Sequence, residues 1–133
     1  MKKLLTIGIL AFTLLSCKDE LNIPETNSYV DGNAPIITIV SPPKDTVFVG
    51  KTSIPIRIEV KDDYEIMEFE FDIQDQAGVL QGLNFKKTLS DTTFIYEAEY
   101  TIPTTDSTRY EVYINVTDLV GNNDNTVYFI TTK

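Results

Sequence analysis

The fold of this chain of 133 residues is decided by residues 54–61, IPIRIEVK. Every second residue here is a β-branched apolar one, and proline, arginine, glutamate and lysine stand between them. Successive side chains of a β-strand point to opposite faces, whereas a helix would spread these apolar residues around its circumference. The stretch therefore predicts a strand with one buried face.

The same alternation recurs along the chain and predicts an all-β protein. The inward positions in the strong repeats are Met67, Phe69, Phe71 and Ile73, then Phe94, Tyr96, Ala98, Tyr100 and Ile102, then Tyr110, Val112, Ile114 and Val116. Weaker strand patterns cover residues 36–41, 46–49, 83–89 and 126–132. Seven or eight antiparallel strands with one apolar face each can bury those faces only against another sheet. We expect an antiparallel β-sandwich over residues 35–133.

Composition excludes several classes of function. The 20 acidic and 11 basic residues give a net charge of −9, which repels nucleic acid and anionic lipid headgroups. With no histidine and one cysteine, the chain cannot form an internal disulfide, a zinc site of Cys and His, or a Ser–His–Asp or Cys–His catalytic set. Glu68 and Glu70 lie on an outward face rather than across the cleft that glycoside hydrolysis requires. We expect no enzymatic activity and no nucleic-acid partner.

The first residues of the chain have the layout of an export signal. Lys2 and Lys3 are followed by an apolar run at residues 4–15, LLTIGILAFTLL, and then by the small residue Ser16. As a helix this run rises about 18 Å, too little to cross roughly 30 Å of hydrocarbon. Residues 1–16 are therefore predicted to be a signal peptide and not a membrane span.

Residues 14–17, Leu-Leu-Ser-Cys, resemble the lipobox of bacterial lipoproteins. The resemblance implies that the sulfur of Cys17 receives diacylglycerol, that the leader is cut before it, and that the new amino group is acylated. Two or three acyl chains hold a protein stably, whereas one chain, at about 0.8 kcal/mol per buried CH₂, binds marginally. The alternative is an ordinary signal peptide in which the cysteine occurs by chance.

Residues 17–34 are predicted to form a lipidated start and a flexible tether, because they are polar and show no strand or helix period. Lys18-Asp19-Glu20 resembles the signal that sends lipoproteins of one Gram-negative phylum to the outer face of the outer membrane, which implies exposure at the cell surface. The alternative is a soluble tether that carries no address.

Two local features resemble immunoglobulin-like modules. Tyr110, after the corner at residues 104–109, matches the tyrosine-corner position. Residues 116–124, VTDLVGNND, resemble the V-x-D-x-x-G-N hairpin of bacterial Ig-like and cadherin-like surface modules. In that hairpin Gly121 takes positive φ, and Asp118 bonds turn backbone together with Asn122. The resemblance implies an immunoglobulin-like sandwich in a cell-surface setting and names no ligand.

Calcium is the one cofactor that the sequence suggests. The loops after the second and sixth predicted strands emerge at the same end of an Ig-like sandwich and carry several oxygen-bearing side chains. The residues gathered there are Asp62, Asp63, Asp118, Asn122 and Asp124, with Asp91 from the loop between the fourth and fifth strands as a further member. Calcium takes about six to eight hard oxygen ligands. The alternative is that Asp and Asn are simply favoured in turns.

Three tripeptides resemble the O-glycosylation sequon of the same bacterial phylum, an Asp followed by Ser or Thr and then an apolar residue or Thr. Their acceptor residues are Thr46, Thr92 and Ser107, all in predicted loops or loop edges. About one such match arises by chance in a chain so rich in Asp and Thr.

These features together predict a lipid-anchored outer-membrane protein, exposed at the cell surface, whose Ig-like domain binds a protein or a glycan. Tyr113 lies in the outward register of a predicted strand and is a candidate for that contact, as is the acidic row Glu68, Glu70 and Asp72, which can also pair with Arg57 or Lys86 or remain solvated. The alternative function is a structural or accessory subunit that faces the periplasm.

Overall fold

The computed structural model describes residues 31–78, 80–103 and 107–133, which contain strands and no helix. The strands are β1 (Ile36–Ser41), β2 (Val47–Phe48), β3 (Ser53–Asp75), β4 (Leu80–Thr101), β5 (Thr108–Asp118) and β6 (Asn123–Thr132). They form one hydrogen-bonded sheet in the order β1-β3-β5-β6-β2, with β4 also paired to β3. All neighbours are antiparallel except β2 and β6, which are parallel. The all-β prediction is confirmed. Within the described ranges there is no helix of the length and apolarity that a bilayer crossing needs.

Strands β3 and β4 are long because each joins two stretches that the sequence separates. β3 has 23 residues and β4 has 22. Their pairing register shifts between Lys61 and Ile66 and again between Ile66 and Glu68, so the ladder continues past this point with a bend. The first part of β3, residues 53–61, pairs with β1 and with the second part of β4, residues 93–101. The second part of β3, residues 66–75, pairs with the first part of β4, residues 80–91, and with β5. Where the sequence predicts seven or eight strands, the described residues form six in one curled sheet.

The core lies inside the curl of this sheet. Phe69 and Phe71, in the second part of β3, contact the ring of Tyr96 with centroid distances of 5.3 and 5.1 Å. Tyr96 is paired with the first part of β3, so these contacts are made across the core and not along the ladder. Tyr110 is fully buried and packs edge-on against Tyr100 at 5.5 Å. Residues 104–106, part of the predicted tyrosine corner, lie outside the described residues.

The sequence places one side chain of β3 on the wrong face and underestimates the burial of another. Met67, predicted to face inward, is 38% exposed, and Ile66 is fully buried instead. The register shift between Ile66 and Glu68 is a bulge, and one extra residue in a strand reverses the alternation. Asp72 keeps the predicted outward register, opposite Asn84 and Tyr113, yet it is only 9% exposed and accepts a hydrogen bond from Asn84. Its position on an inner strand of the sheet, between β4 and β5, explains this burial.

Lys87 marks an edge of the sheet. It falls in register with apolar residues of the first part of β4, yet it is exposed, and its Nζ lies 5.1 Å from the centroid of the Phe94 ring. Among the described strands β4 pairs only with β3, so its other side has no strand beside it. The lysine stem covers the core while its charge stays in water. β4 is therefore an edge strand of the described sheet, and Lys87 extends outward from it.

Candidate functional site

Residues 31–35, called here the strap, precede β1 and lie against the domain. Asp31 is 4% exposed, and its backbone carbonyl accepts a hydrogen bond from Nδ2 of Asn122 at 3.1 Å. The N–H of Asn33 donates to Oδ1 of Asp31, and Nδ2 of Asn33 donates to Oδ2 of Asp63, both at 2.9 Å. The sequence pattern assigns residues 31–34 to the tether, whereas these bonds attach them to the folded domain.

The strap and the bend of β3 together form an acidic cluster of Asp31, Asp62 and Asp63. One carboxylate oxygen from each of the three lies within 4.8 Å of the other two. Asp62 is 7% exposed, and its Oδ1 accepts the N–H of Asp63 at 2.9 Å. Oδ2 of Asp31 and Oδ2 of Asp62 are buried and have no hydrogen-bond partner among the described residues. Buried polar atoms are nearly always hydrogen-bonded, so two such oxygens in one cluster are exceptional.

The electrostatics of this cluster favour a positive group. Burial raises the pKa of the Asp62 carboxyl above its ordinary value, and the negative charges of Asp118 and Asp31 raise it further, while the N–H groups of Asp63 and Tyr64 act in the opposite direction. Desolvation and nearby like charge both disfavour an ionised carboxylate. A cation beside the cluster would relieve both effects.

Asp118 organises the turn between β5 and β6. It is fully buried, and its Oδ1 accepts the N–H groups of Val120, Gly121 and Asn122 at 2.9, 2.6 and 2.8 Å. Its Oδ2 accepts Nδ2 of Asn122 at 2.7 Å. Gly121 has a φ of 98°, which residues with a side chain rarely adopt. The positive φ of Gly121 and the bonds from Asp118 to turn backbone are as predicted, whereas the side chain of Asn122 bonds the Asp118 carboxylate and the carbonyl of Asp31 rather than turn backbone. Asp118 brings negative charge near Asp62 while both of its own oxygens are engaged.

The structure brings together only part of the predicted calcium set. Asp62 and Asp63 meet in the acidic cluster, and their third member is Asp31, which sequence reasoning missed. Asp124 lies in β6 and Asp91 in β4, and neither belongs to the cluster. No local pattern signals Asp31, because its place depends on a hydrogen bond from Asn122, 91 positions along the chain.

A groove of about 560 Å³ opens beside the acidic cluster. The strap lines one side of it, and Lys61 lines the other together with Asp62 and Asp63. The groove reaches the cluster at Asp62 and at the exposed Asp63, so an ion can approach the carboxylates from this side.

A second candidate surface is the outer side of the sheet formed by the first part of β4, the second part of β3, β5 and β6, called here the polar face. Its outward residues include Glu68, Glu70, Asn84, Lys86, Tyr113, Asn115, Asn123, Asn125 and Val127. Nζ of Lys86 lies 2.7 Å from the Glu68 carboxylate, so the acidic row pairs with Lys86, one of the two basic residues considered from the sequence. The other, Arg57, pairs instead with Glu59 at 2.8 Å and with Glu97. The surface offers amide, carboxylate and aromatic groups.

The predicted modification sites lie in different settings. The hydroxyl of Thr46 is half-buried and donates to the carbonyl of Pro43 at 2.6 Å. Thr92 is exposed but lies within β4, so the loop predicted around it is wrong; it falls at the register shift between the pairs Lys61–Thr93 and Ile66–Asp91. Ser107 is exposed beside residues 104–106, and Cys17 lies outside the described residues.

Comparisons with known proteins give no assignment to either surface. The chain matches no protein-family model, and no curated protein matches it significantly. The chemistry of the two surfaces is therefore the guide to function. The acidic cluster presents hard oxygen atoms, which suit a cation, and the polar face presents mixed donors and acceptors, which suit a polar macromolecule.

Proposed function

We propose that this chain is a non-catalytic, lipid-anchored binding protein of a bacterial cell envelope, exposed on the outer membrane. The lipobox-like residues 14–17 support the anchor, and Lys18-Asp19-Glu20 supports the exposed location. The absence of histidine from the whole sequence supports a role in binding over catalysis. The bound partner is a protein or a glycan.

An immunoglobulin-like sandwich is the fold that we propose for this domain. One half of the curled sheet contains β1 with the first part of β3 and the second part of β4. The other half contains the remaining parts of β3 and β4 together with β5, β6 and β2. Contacts such as Phe71 to Tyr96 and Tyr110 to Tyr100 join side chains of the two halves, as inner faces do in a sandwich.

The polar face is the main support for the proposed binding function. Asn115 and Asn125 lie directly opposite each other on β5 and β6, and Tyr113 lies opposite Val127 in the next outward pair. Asn side chains offer donors and acceptors at once, and Tyr is among the residues that contribute most at protein interfaces. Such a surface can recognise hydroxyl groups of a glycan or the polar rim of a protein.

The test uses the chain with Cys17→Ser, purified without lipid, on a glycan array and against an envelope extract. We expect a saturable partner whose affinity falls roughly tenfold or more in Tyr113→Ala, the size of effect seen when a central interface aromatic is removed. Ile95→Ala is the matched control, because Ile95 is 52% exposed on the outer side of the other half. Equal loss in both variants, or no partner in either format, would contradict the proposal.

A further inference from the structure

The acidic cluster holds three carboxylates close together at the bend of β3, with one oxygen of each within 4.8 Å of the other two. Asp118, fully buried in the neighbouring turn, is linked to this place through Asn122, whose Nδ2 donates both to the carbonyl of Asp31 and to Oδ2 of Asp118. Carboxylates held this close repel one another, and a cation beside them would offset that repulsion.

The two buried oxygens point to a ligand independently of the charge. Asp31 and Asp62 are more than nine-tenths buried, and Oδ2 of each is out of reach of both solvent and any donor among the described residues. Their Oδ1 atoms already accept N–H groups of the strap and of the bend, which fixes the orientation of both carboxylates. The remaining oxygens are thus held in place without a partner of their own, as metal ligands are before the metal binds.

We propose that the acidic cluster binds one calcium ion, with Asp31, Asp62 and Asp63 as its carboxylate ligands. Calcium takes about six to eight oxygens from carboxylates, carbonyls and waters in an irregular arrangement. The three carboxylates supply the anionic ligands, and the open groove admits water to the remaining positions. Magnesium requires near-ideal octahedral geometry and keeps most of its water, so it suits carboxylates from an irregular strap less well.

The ion fastens the strap to the bend of β3. Asp31 belongs to the strap and Asp62 to the bend, so a shared ion links two segments that are separated in the sequence by β1, β2 and the first part of β3. Asn122 extends the link, because its Nδ2 donates both to the carbonyl of Asp31 and to Oδ2 of Asp118. Calcium therefore orders the point at which the chain enters the domain, and the proposal does not depend on the lipid anchor or on the polar face.

The experiment is a calorimetric titration of the full chain, purified in detergent micelles and treated with a chelator, with calcium chloride at physiological ionic strength. We expect one saturable site, a thermal midpoint that rises with calcium, and slower amide hydrogen exchange in the strap. Asp63→Asn removes one anionic ligand at an exposed position, so it weakens calcium binding by roughly tenfold or more while the chain stays folded. Asp62→Asn does the same at a buried position.

Asp45→Asn is the control with the same change in net charge. Asp45 is exposed, has a φ of 61° that asparagine also adopts, and donates its N–H to the carbonyl of Phe129, far along β6 from the turn at Asn122. This variant keeps the calcium affinity and the strap protection of the parent. Weak, non-saturable heat, or equal affinities for Asp63→Asn and Asp45→Asn, would mean that the ion only screens the overall charge, and the proposal would be overturned.

Discussion

At the scale of single residues, the buried tyrosines connect packing to pH dependence. Burial raises the pKa of Tyr128 above its ordinary value, and burial together with the neighbouring Tyr110 raises that of Tyr100. A phenol whose pKa is higher in the folded state than in the unfolded state contributes to stability. That contribution is fully present at pH values below the unfolded-state pKa of about 10. That contribution is lost as pH rises further, because only the unfolded chain releases the proton.

We therefore expect the free energy of unfolding to fall as the pH is raised from 8 to 11. Urea titrations at several pH values measure this, and absorbance near 295 nm reports phenolate formation. In Tyr128→Phe the fall becomes shallower, because one ionising group is removed while the ring remains. A fall of the same steepness in that variant would show that Tyr128 does not contribute and would assign the effect to the remaining tyrosines and the lysines, which titrate in the same range.

Residue-level chemistry also explains why the acidic cluster was only half predictable. Asp62 and Asp63 follow a strong strand pattern, so their place at one end of the domain can be read from the sequence. Asp31 is buried through a hydrogen bond to Asn122, which is 91 positions away, and no local pattern encodes such a contact. The strap therefore looks like tether in the sequence and becomes part of the domain only through long-range packing.

At the scale of strands, alternation locates the strands well and their ends poorly. Residues 62–65 and 90–93 are rich in Asp, Ser and Thr, which favour turns, yet both segments remain within strands. β3 and β4 pair with each other on both sides of the bend, and a continued ladder outweighs weak local preferences. This is why the expected separate strands are joined in the structure.

The bulge in β3 leads to a prediction about a neighbouring pair of residues. Ile66 is fully buried and Met67 is largely outside the core, the reverse of an uninterrupted alternation. Ile66→Ala should lower the free energy of unfolding by about 2–5 kcal/mol, since it leaves a cavity in the core. Met67→Ala should lower it by less than about 1 kcal/mol, as for most changes at the surface.

Urea denaturation of the two variants measures this difference directly when the free energy of unfolding falls with urea concentration at the same slope in both. The two substitutions remove similar apolar volume from adjacent positions, so each is the control for the other. A larger loss in Met67→Ala would show that the alternation continues unbroken through this part of β3 and that the bulge lies elsewhere.

At the scale of the whole molecule, the proposed function joins an apolar lipid anchor to a strongly acidic binding domain. The net charge of −9 repels anionic headgroups, so in this proposal attachment comes from acyl chains on Cys17 and not from the protein surface. We expect Cys17→Ser to remove the proposed attachment point without changing the domain, so that the anchor and the fold can be tested separately.

The last prediction is that the anchored domain is accessible from outside the cell. Brief treatment of intact cells with a protease should degrade it, while a periplasmic protein in the same cells survives. With Cys17→Ser the protein should leave the membrane fraction, because no lipid holds it. A domain that resists until the outer membrane is opened would favour the periplasm-facing subunit, and unchanged membrane fractionation of Cys17→Ser would contradict the anchor itself. The two outcomes are independent, so the location of the domain and the means of its attachment are tested separately.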